Sequence, residues 1–493
     1  MLTRLKVSGF KNLVEVDVRF GPFTCVAGPN GVGKSNLFDA IRFLSALADR
    51  TLMDAALSVR EGRTADVRSL FHRVGDEYDR QMDFAAEMII PREGTDELGQ
   101  HAEATTTFLR YSISLGYRGD TDSPMGPLEI LTEKLSHITL GRAHEHLLFP
   151  HKVARWRRSA VVGRRSAEFI STEQQAENRV IKLHQDGSGG KPAVRMASSL
   201  PRTVLSATLA AESPTATLAR KEMQSWTILQ LEPSALRSPD AFVDPQRLGR
   251  DGSHLAATLY RLARSQNGGS KRVYARVANR LATLIDDVRD VWIDRDERRE
   301  QLSLYASGKD KTPHAARALS DGTLRFLALA VLAEDPEAQG VLCLEEPENG
   351  IHPERIPAMI ELLRDIATDP DVPIGDENPL RQVIINTHSP AFVLQVPDDS
   401  LLVAHFKEMV RPNKRFLGVG FSPLPDSWRA KDRSTETCSK GELLAYLNPI
   451  RTESSYLAAG GESKSRVRRV LDRIESQLDF DNELNRTMTA GNE

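Results

Sequence analysis

Gly28-Pro29-Asn30-Gly31-Val32-Gly33-Lys34-Ser35 reads G-x-x-x-x-G-K-S, and every fixed position in it suits a polyphosphate. The glycines let successive backbone N–H groups converge on phosphate oxygens, and a helix opening at Ser35-Asn36 adds the partial positive charge of its N-terminus. Lys34 can neutralise the β- and γ-phosphates of a nucleoside triphosphate, and the Ser35 hydroxyl can hold Mg²⁺. A second set of groups lies far downstream. Val341-Leu342-Cys343-Leu344 is an apolar run that ends in Glu345-Glu346, two carboxylates at the edge of a buried strand. There one carboxylate (Glu345) can hold the metal while the next (Glu346) polarises the water that attacks the γ-phosphate. Ser320-Asp321-Gly322 opens a helix, where Ser and Asp serve either as plain caps or as a grip on a phosphate. Asn386-Thr387-His388-Ser389-Pro390 closes the next apolar run, which sets His388 beside Glu346, as a structural turn residue or as a hydrogen-bond donor to the γ-phosphate.

The elements that must position these groups are legible on either side of them. Phe23 to Ala27 is a short buried strand, and Leu37, Ala40, Ile41, Leu44 and Leu47 recur at helical spacing after the glycine loop. Leu2–Phe10, Val14–Phe20, Met82–Ile90 and Phe108–Tyr117 read as strands, with a polar hairpin loop from Glu93 to Ala104. Leu128–Leu135 and Arg179–His184 are weaker strands. Leu255–Ala263, Val273–Val288, Thr323–Ala333 and Glu354–Ala367 have helical periodicity, while Gly340–Leu344 and Gln382–Asn386 are buried strands. A basic helix is expected at Lys464–Leu478. The fold class is α/β, with ligands expected at the carboxyl edge of the parallel strands.

A chain of 493 residues with 40% hydrophobic and 27% charged residues is long enough for two or three lobes. Its net charge of −3 gives no whole-chain signature of nucleic-acid binding, so such a surface would have to be a local patch. Three cysteines make no disulfide framework, and Cys25 and Cys343 fall in buried strands. No run approaches the ~18 apolar residues of a membrane span. Met1 leads straight into a strand rather than into an apolar leader, and a cytoplasmic setting is expected.

The motif order P-loop, S-D-G-T, L-E-E-P-E, T-H-S-P resembles the ABC-class ATPases of the SMC and RecF type. The opening Leu5-Lys6-Val7-Ser8-Gly9-Phe10-Lys11-Asn12-Leu13 is similar to the start of that group. The likeness is greatest to the compact RecF-like ATPases of bacterial anti-phage modules, relatives of the ATPase half of OLD nucleases and of the Septu ATPase. Trp226 to Ser238 and Asp251-Gly252-Ser253-His254-Leu255-Ala256 are also similar to that subgroup. The resemblance implies an ABC-type ATPase head in two parts, residues 1–120 with the P-loop and 291–405 with the other motifs. Between them a compact inserted lid or arm spans 121–290, and a C-terminal extension covers 406–493.

It further implies that two heads pair head to tail, so that Ser320, Asp321 and Gly322 of one close on ATP bound by Gly28 to Asn36 of the other. His388 becomes the switch histidine, and Asn349 part of the loop after the catalytic Glu346. The sequence departs from the family pattern in having Glu345 where most such ATPases carry Asp, and in having Pro347 to Pro353 in place of an S-A-L-D loop. No glutamine is fixed as the Mg²⁺ sensor, and Gln81 is the candidate.

Lys152, Arg155, Arg157, Arg158, Arg164 and Arg165, with Trp156 among them, form a cationic stretch without an acid. It suits either a DNA or RNA backbone with base stacking, or a solvated or partner-facing surface. The expected function is a Mg·ATP switch in a homodimer or higher even oligomer, the sensor of an anti-phage module whose effector, an HNH or Toprim nuclease, is encoded separately. The alternative is a RecF-like DNA repair clamp. No nuclease site is expected in this chain, because no cluster of carboxylates follows His388 in the required pattern.

Overall fold

Phe23–Ala27 is buried at all its positions, as a strand covered on both faces must be. In the computed structural model it lies inside a six-stranded sheet in the order Thr227–Leu229, Gly340–Glu345, Arg381–Thr387, Phe23–Ala27, Leu401–Arg411, Lys414–Pro423. The first five run parallel, and the last returns antiparallel as a hairpin. Register brings their carboxyl ends to one edge: Thr387 pairs with Ala27, Glu345 with Asn386, and Leu229 with Leu344. The structure describes residues 1–447 except 60–65, 120–125, 164–166, 177, 187–189, 266–269, 286–287, 412–413 and 433–434. The expected helix Lys464–Leu478 therefore lies outside the described residues, as do Arg164 and Arg165.

A second sheet is antiparallel throughout. Its order is Ala193–Met196, Asn178–Leu183, Ile170–Gln175, Leu128–His137, Phe108–Tyr117, Gln81–Ile89, Leu2–Ser8 and Val16–Arg19. Phe108–Tyr117 alternates buried and half-exposed residues over most of its length, as a sheet with one covered face requires. The polar segment 93–104 closes as a small hairpin, Glu93–Thr95 against His101–Glu103. The stretch 121–290 is distributed over the fold: strands between 128 and 196 extend the antiparallel sheet, Thr227–Leu229 joins the parallel one, and Leu255–Ser265 and Ser270–Leu284 are helices.

The helix Lys34–Leu47 lies between the two sheets. Leu37, Phe38, Ile41, Phe43 and Leu44 share one core with Leu5, Val7 and Phe84 of the antiparallel sheet and with Val26, Val341, Cys343 and Ile384 of the parallel one. Phe10, Phe43 and Phe84 close an aromatic triangle with centroids 5.3 to 5.8 Å apart. On the other face of the parallel sheet, Cys25, Ala27, Leu342, Leu344, Val383 and Ile385 pack against the helices Leu255–Ser265, Ser270–Leu284, Asp321–Glu334 and Ile356–Ile366. The sheets are also tied by a polar link. The Gln382 carboxamide, wholly buried, accepts from Leu2 N (2.9 Å) and donates to Leu2 O and Gly21 O (2.8 Å each).

Trp156 takes a place other than the one expected. The cationic stretch does not offer it for stacking: the indole is fully buried against Phe149 and His151, in a cluster that includes Phe108 and Trp428. An aromatic with no exposed face serves packing, and the surface there is left to Lys152, Arg155 and Arg158 with the exposed Val153 and Ala154.

Glu133 is fully buried beside the antiparallel sheet, where it accepts from Val204 N (2.7 Å), Leu205 N (2.8 Å) and Tyr111 Oη (3.3 Å). Burial raises its pKa to about 7 against the opposing pull of those hydrogen bonds. The native state thus keeps this proton after the unfolded chain has released it, and the carboxyl's contribution to stability falls as pH rises toward 7. Between pH 5 and pH 8, urea unfolding of the wild type should lose about 2 to 3 kcal/mol relative to Glu133→Gln, which cannot titrate. A difference between the two proteins that is independent of pH would show that the carboxyl titrates normally.

Candidate nucleotide site

The loop after Phe23–Ala27 is shaped by close contacts that only particular residues allow. Gly33 sits at φ +115°, and a Cβ there would stand 2.2 Å from the Asn12 carboxamide. Asn12 braces the loop from the antiparallel sheet's side: its Nδ2 donates to Val32 O (3.0 Å), and its Oδ1 accepts from Asn36 Nδ2 (2.7 Å). Val32 is fully buried and anchors the loop, while Pro29, Asn30, Gly31 and Ser35 are exposed. Lys34 begins the helix and is only 7% exposed. Its Nζ donates to Gly28 O (2.7 Å) and Pro29 O (3.0 Å), and no carboxylate among the described residues forms an ion pair with it. Burial lowers its pKa, opposed by the charges of Glu346 and Glu348. An ammonium held by carbonyl oxygens alone is ready to exchange them for anionic ones.

The carboxylates follow at the same edge. Glu345 ends its strand and accepts from Gln230 Nε2 (2.9 Å) and Asn386 Nδ2 (3.3 Å). Glu346 has φ +45°, a left-handed conformation uncommon outside glycine, and its N–H is tied to Asn386 O (3.0 Å). That turn holds the side chain between two partners: Oε1 lies 2.5 Å from His388 Nδ1, and Oε2 accepts from Asn349 Nδ2 (2.8 Å). His388 therefore meets Glu346 as the strand order predicts. Glu348 is buried and accepts from Thr387 Oγ1, and desolvation raises its pKa against that hydrogen bond.

Ser35, Glu345, Glu346 and Asn349 line one cavity of about 260 Å³, together with Gln230, Asn386 and Arg325. Gln81, the glutamine proposed from sequence, is elsewhere: it opens an antiparallel strand, exposed, and donates to Asp83 (2.8 Å). The glutamine at the carboxylates is Gln230, one residue beyond Thr227–Leu229. Its strand has three residues and no alternation, so the sequence signals were the apolar Ile228-Leu229 ending in an amide and the likeness of Trp226 to Ser238 to the family subgroup. Arg325 lies one turn into the Asp321–Glu334 helix with its Nε buried and unpartnered, and reads in sequence as an ordinary helical charge.

Ser320 caps that helix, accepting from Thr323 N (3.2 Å), and Asp321 pairs with Arg237. Ser320 and Gly322 do not join the cavity of their own chain's Ser35. They line a different one, of about 900 Å³, with Lys309, His314, His352 and Arg355. No helix among the described residues is long and apolar enough to cross a membrane.

Two family models match. Residues 1–116 match the RecF/RecN/SMC N-terminal domain, and 212–394 match an AAA domain described as a putative AbiEii toxin of a type IV toxin–antitoxin system. Among curated proteins, the DNA replication and repair protein RecF of Porphyromonas gingivalis is 36% identical over 63 residues, 13% of this chain and 17% of that one. RecF of Lactobacillus delbrueckii subsp. bulgaricus is 37% identical over 95 residues, 19% and 23%. The OLD nuclease of Thermus scotoductus is 46% identical over 41 residues, 8% of each. The matched stretches thus span less than a quarter of these relatives' lengths. A solved SMC head bound to the C-terminal winged-helix domain of ScpA aligns with 85% of this chain and 97% of its own, at 13% identity and a TM-score of 0.43. The two family matches together take in the loop Gly28–Ser35 and the residues Ser320, Glu345, Glu346 and His388, and with the RecF and OLD likenesses they support an SMC/RecF-type ABC ATPase related to OLD-type proteins.

Proposed function

We propose that the chain is a Mg²⁺-dependent switch that hydrolyses ATP between two copies arranged head to tail. The observation that carries this reading is the convergence of Lys34, Glu345, Glu346 and His388, from three separate strands, on one sheet edge. On ATP binding Lys34 would give up Gly28 O and Pro29 O for β- and γ-phosphate oxygens, with the N–H groups of Gly31 to Asn36 closing on the rest. Ser35 and Glu345 offer oxygen donors to one cavity, the ligand type Mg²⁺ takes, and Gln230 and Asn386 orient the carboxylate. Bound there, Mg²⁺ would neutralise charge on the phosphates. Glu346 would orient the attacking water and accept its proton, held in place by His388 and Asn349. Ser320, Asp321 and Gly322 would act on the ATP of the second copy, a role supported by Ser320 and Gly322 facing a cavity apart from their own Ser35.

The wider role we propose is regulation of a separately encoded effector, an HNH or Toprim nuclease, in an anti-phage module. The match to an AAA domain described with AbiEii-type toxins and the likeness to an OLD nuclease support it. A RecF-like repair clamp is the second reading, favoured by the RecF matches. Cells carrying this gene and its neighbour should resist phage infection and lose that resistance with Glu346→Gln. ATP-dependent binding of DNA junctions by the chain alone, without any protection, would replace the defence role with the clamp.

Lys34→Ala should weaken ATP binding by about 10²-fold or more, because two charge-assisted phosphate contacts are lost together. Calorimetry checks this, and wild-type affinity in the variant would remove the phosphate cradle from the loop.

Glu346→Gln should still bind ATP while turnover falls by about 10² to 10⁴. In sedimentation with Mg·ATP the variant should accumulate as a dimer. A strictly monomeric variant would rule out the head-to-tail arrangement.

A further inference from the structure

At the far end of the Lys34–Leu47 helix, away from its phosphate-facing turn, three arginines open into one cavity of about 240 Å³. Arg42 comes from the helix itself, Arg50 from the turn after it, and Arg250 from the loop before Leu255–Ser265. Two acids share the lining, and both have partners: Glu97 pairs with Arg220, and Asp49 stands 3.9 Å from Arg50. Among the described residues no hydrogen bond or ion pair engages the side chain of Arg42 or of Arg250. The Arg42 Nε is buried without a partner. Desolvation, together with the like charges of Arg42 and Arg50, holds the pKa of Arg250 below its usual value. The unpaired guanidinium groups of Arg42 and Arg250, brought together beside that of Arg50, repel one another, and the fold gains nothing from the pair unless an anion sits between them.

We propose that the Arg42–Arg50–Arg250 cavity is a phosphate-binding site separate from the nucleotide loop. Planar guanidinium forks match the tetrahedral oxygens of a phosphate group, and the cavity has room for one or two such groups rather than a whole nucleotide. The phosphate belongs either to a nucleic-acid backbone or to a free polyphosphate. Both reach the site by the same chemistry. The site is also wired to the nucleotide edge. Arg42 shares a helix with Lys34 and Ser35, and the backbone carbonyl of Arg250 accepts from Gln230 N (2.8 Å), next to the amide that holds Glu345. Occupation of the cavity would bear on both elements from their far ends. The proposal goes beyond the nucleotide reading and does not depend on it.

The test uses the full chain carrying Lys34→Ala, which removes the loop lysine as a competing phosphate contact; affinity for ATP in that parent reports on the nucleotide reading alone. Inorganic pyrophosphate and a short DNA duplex are titrated into this parent, then into the same protein with Arg42→Gln or Arg250→Gln. Saturable pyrophosphate binding that weakens about tenfold or more with either substitution supports the site and names a free polyphosphate as a ligand. Duplex binding without pyrophosphate binding supports it with a backbone phosphate as ligand, provided each substitution lowers the salt slope by about 0.9. Binding of neither probe, or binding that both substitutions leave unchanged, overturns the proposal. Because the arginines repel, each variant should melt no lower than the parent. Should a variant fail to fold, protection of Arg250 from dicarbonyl modification by pyrophosphate in the parent reads the same contact, and unprotected modification overturns it.

Discussion

The helix Lys34–Leu47 is covered on nearly its whole circumference, by aromatic and aliphatic side chains from one sheet on one side and from the other sheet on the other. Only Ser35, Asn36, Asp39 and Arg42 escape burial, and a helix with so broad an apolar face fits between two layers. Full burial of Phe38 and Phe43 alone removes two large apolar surfaces from water, worth about 2 to 3 kcal/mol each. That burial fixes the direction of the helix axis, and the direction of the axis aims its N-terminal N–H groups at the loop Gly28–Gly33. The antiparallel sheet, far from the carboxylates, thereby decides where a phosphate would sit.

At the sheet edge, groups of opposite charge are kept close without being allowed to neutralise one another. Lys34 is buried and bonded only to carbonyl oxygens, while Glu346 is occupied by His388 and Asn349, and Glu348 by Thr387. A direct Lys34–Glu346 ion pair would satisfy both charges and leave little reason for a polyphosphate to enter. Instead the carboxylate of Glu346, on a left-handed backbone, is turned to His388 and Asn349. Such a residue persists only where its surroundings fix it, here through Asn386 and Asn349. Arg42 and Arg250 at the other end of the helix show the same economy, since among the described residues they too are left without a partner.

Much of this was legible in the chain. The G-x-x-x-x-G-K-S loop, the apolar strands before Glu345 and Asn386, and the helical periodicity at Leu37–Leu47 are local patterns, each contained in a dozen residues. Local patterns survive without knowledge of the fold because strand burial and helix spacing leave their mark residue by residue. The alternation in Phe108–Tyr117 is readable for the same reason, and the meeting of Glu346 with His388 followed from two strand ends assigned to one sheet.

The groups that tertiary structure alone could place are those whose meaning lies in register and in contacts across long stretches of chain. Gln230 reaches Glu345 only because Leu229 pairs with Leu344, a register that a three-residue strand does not announce. Asn12, just after a strand of the antiparallel sheet, braces Val32 of a loop that leaves the parallel one. Trp156 looked available beside its arginines, and is buried in a cluster to which distant stretches of chain bring Phe108, Leu380 and Trp428. Arg42 and Arg250 are ordinary charges some two hundred residues apart in sequence until the helix and the loop set them in one cavity. Sequence determined which chemistry the chain can carry, because residue type and local spacing are written in it. Which of several like residues carries that chemistry was decided by packing, because partnership across sheets is set by the register and burial of the whole.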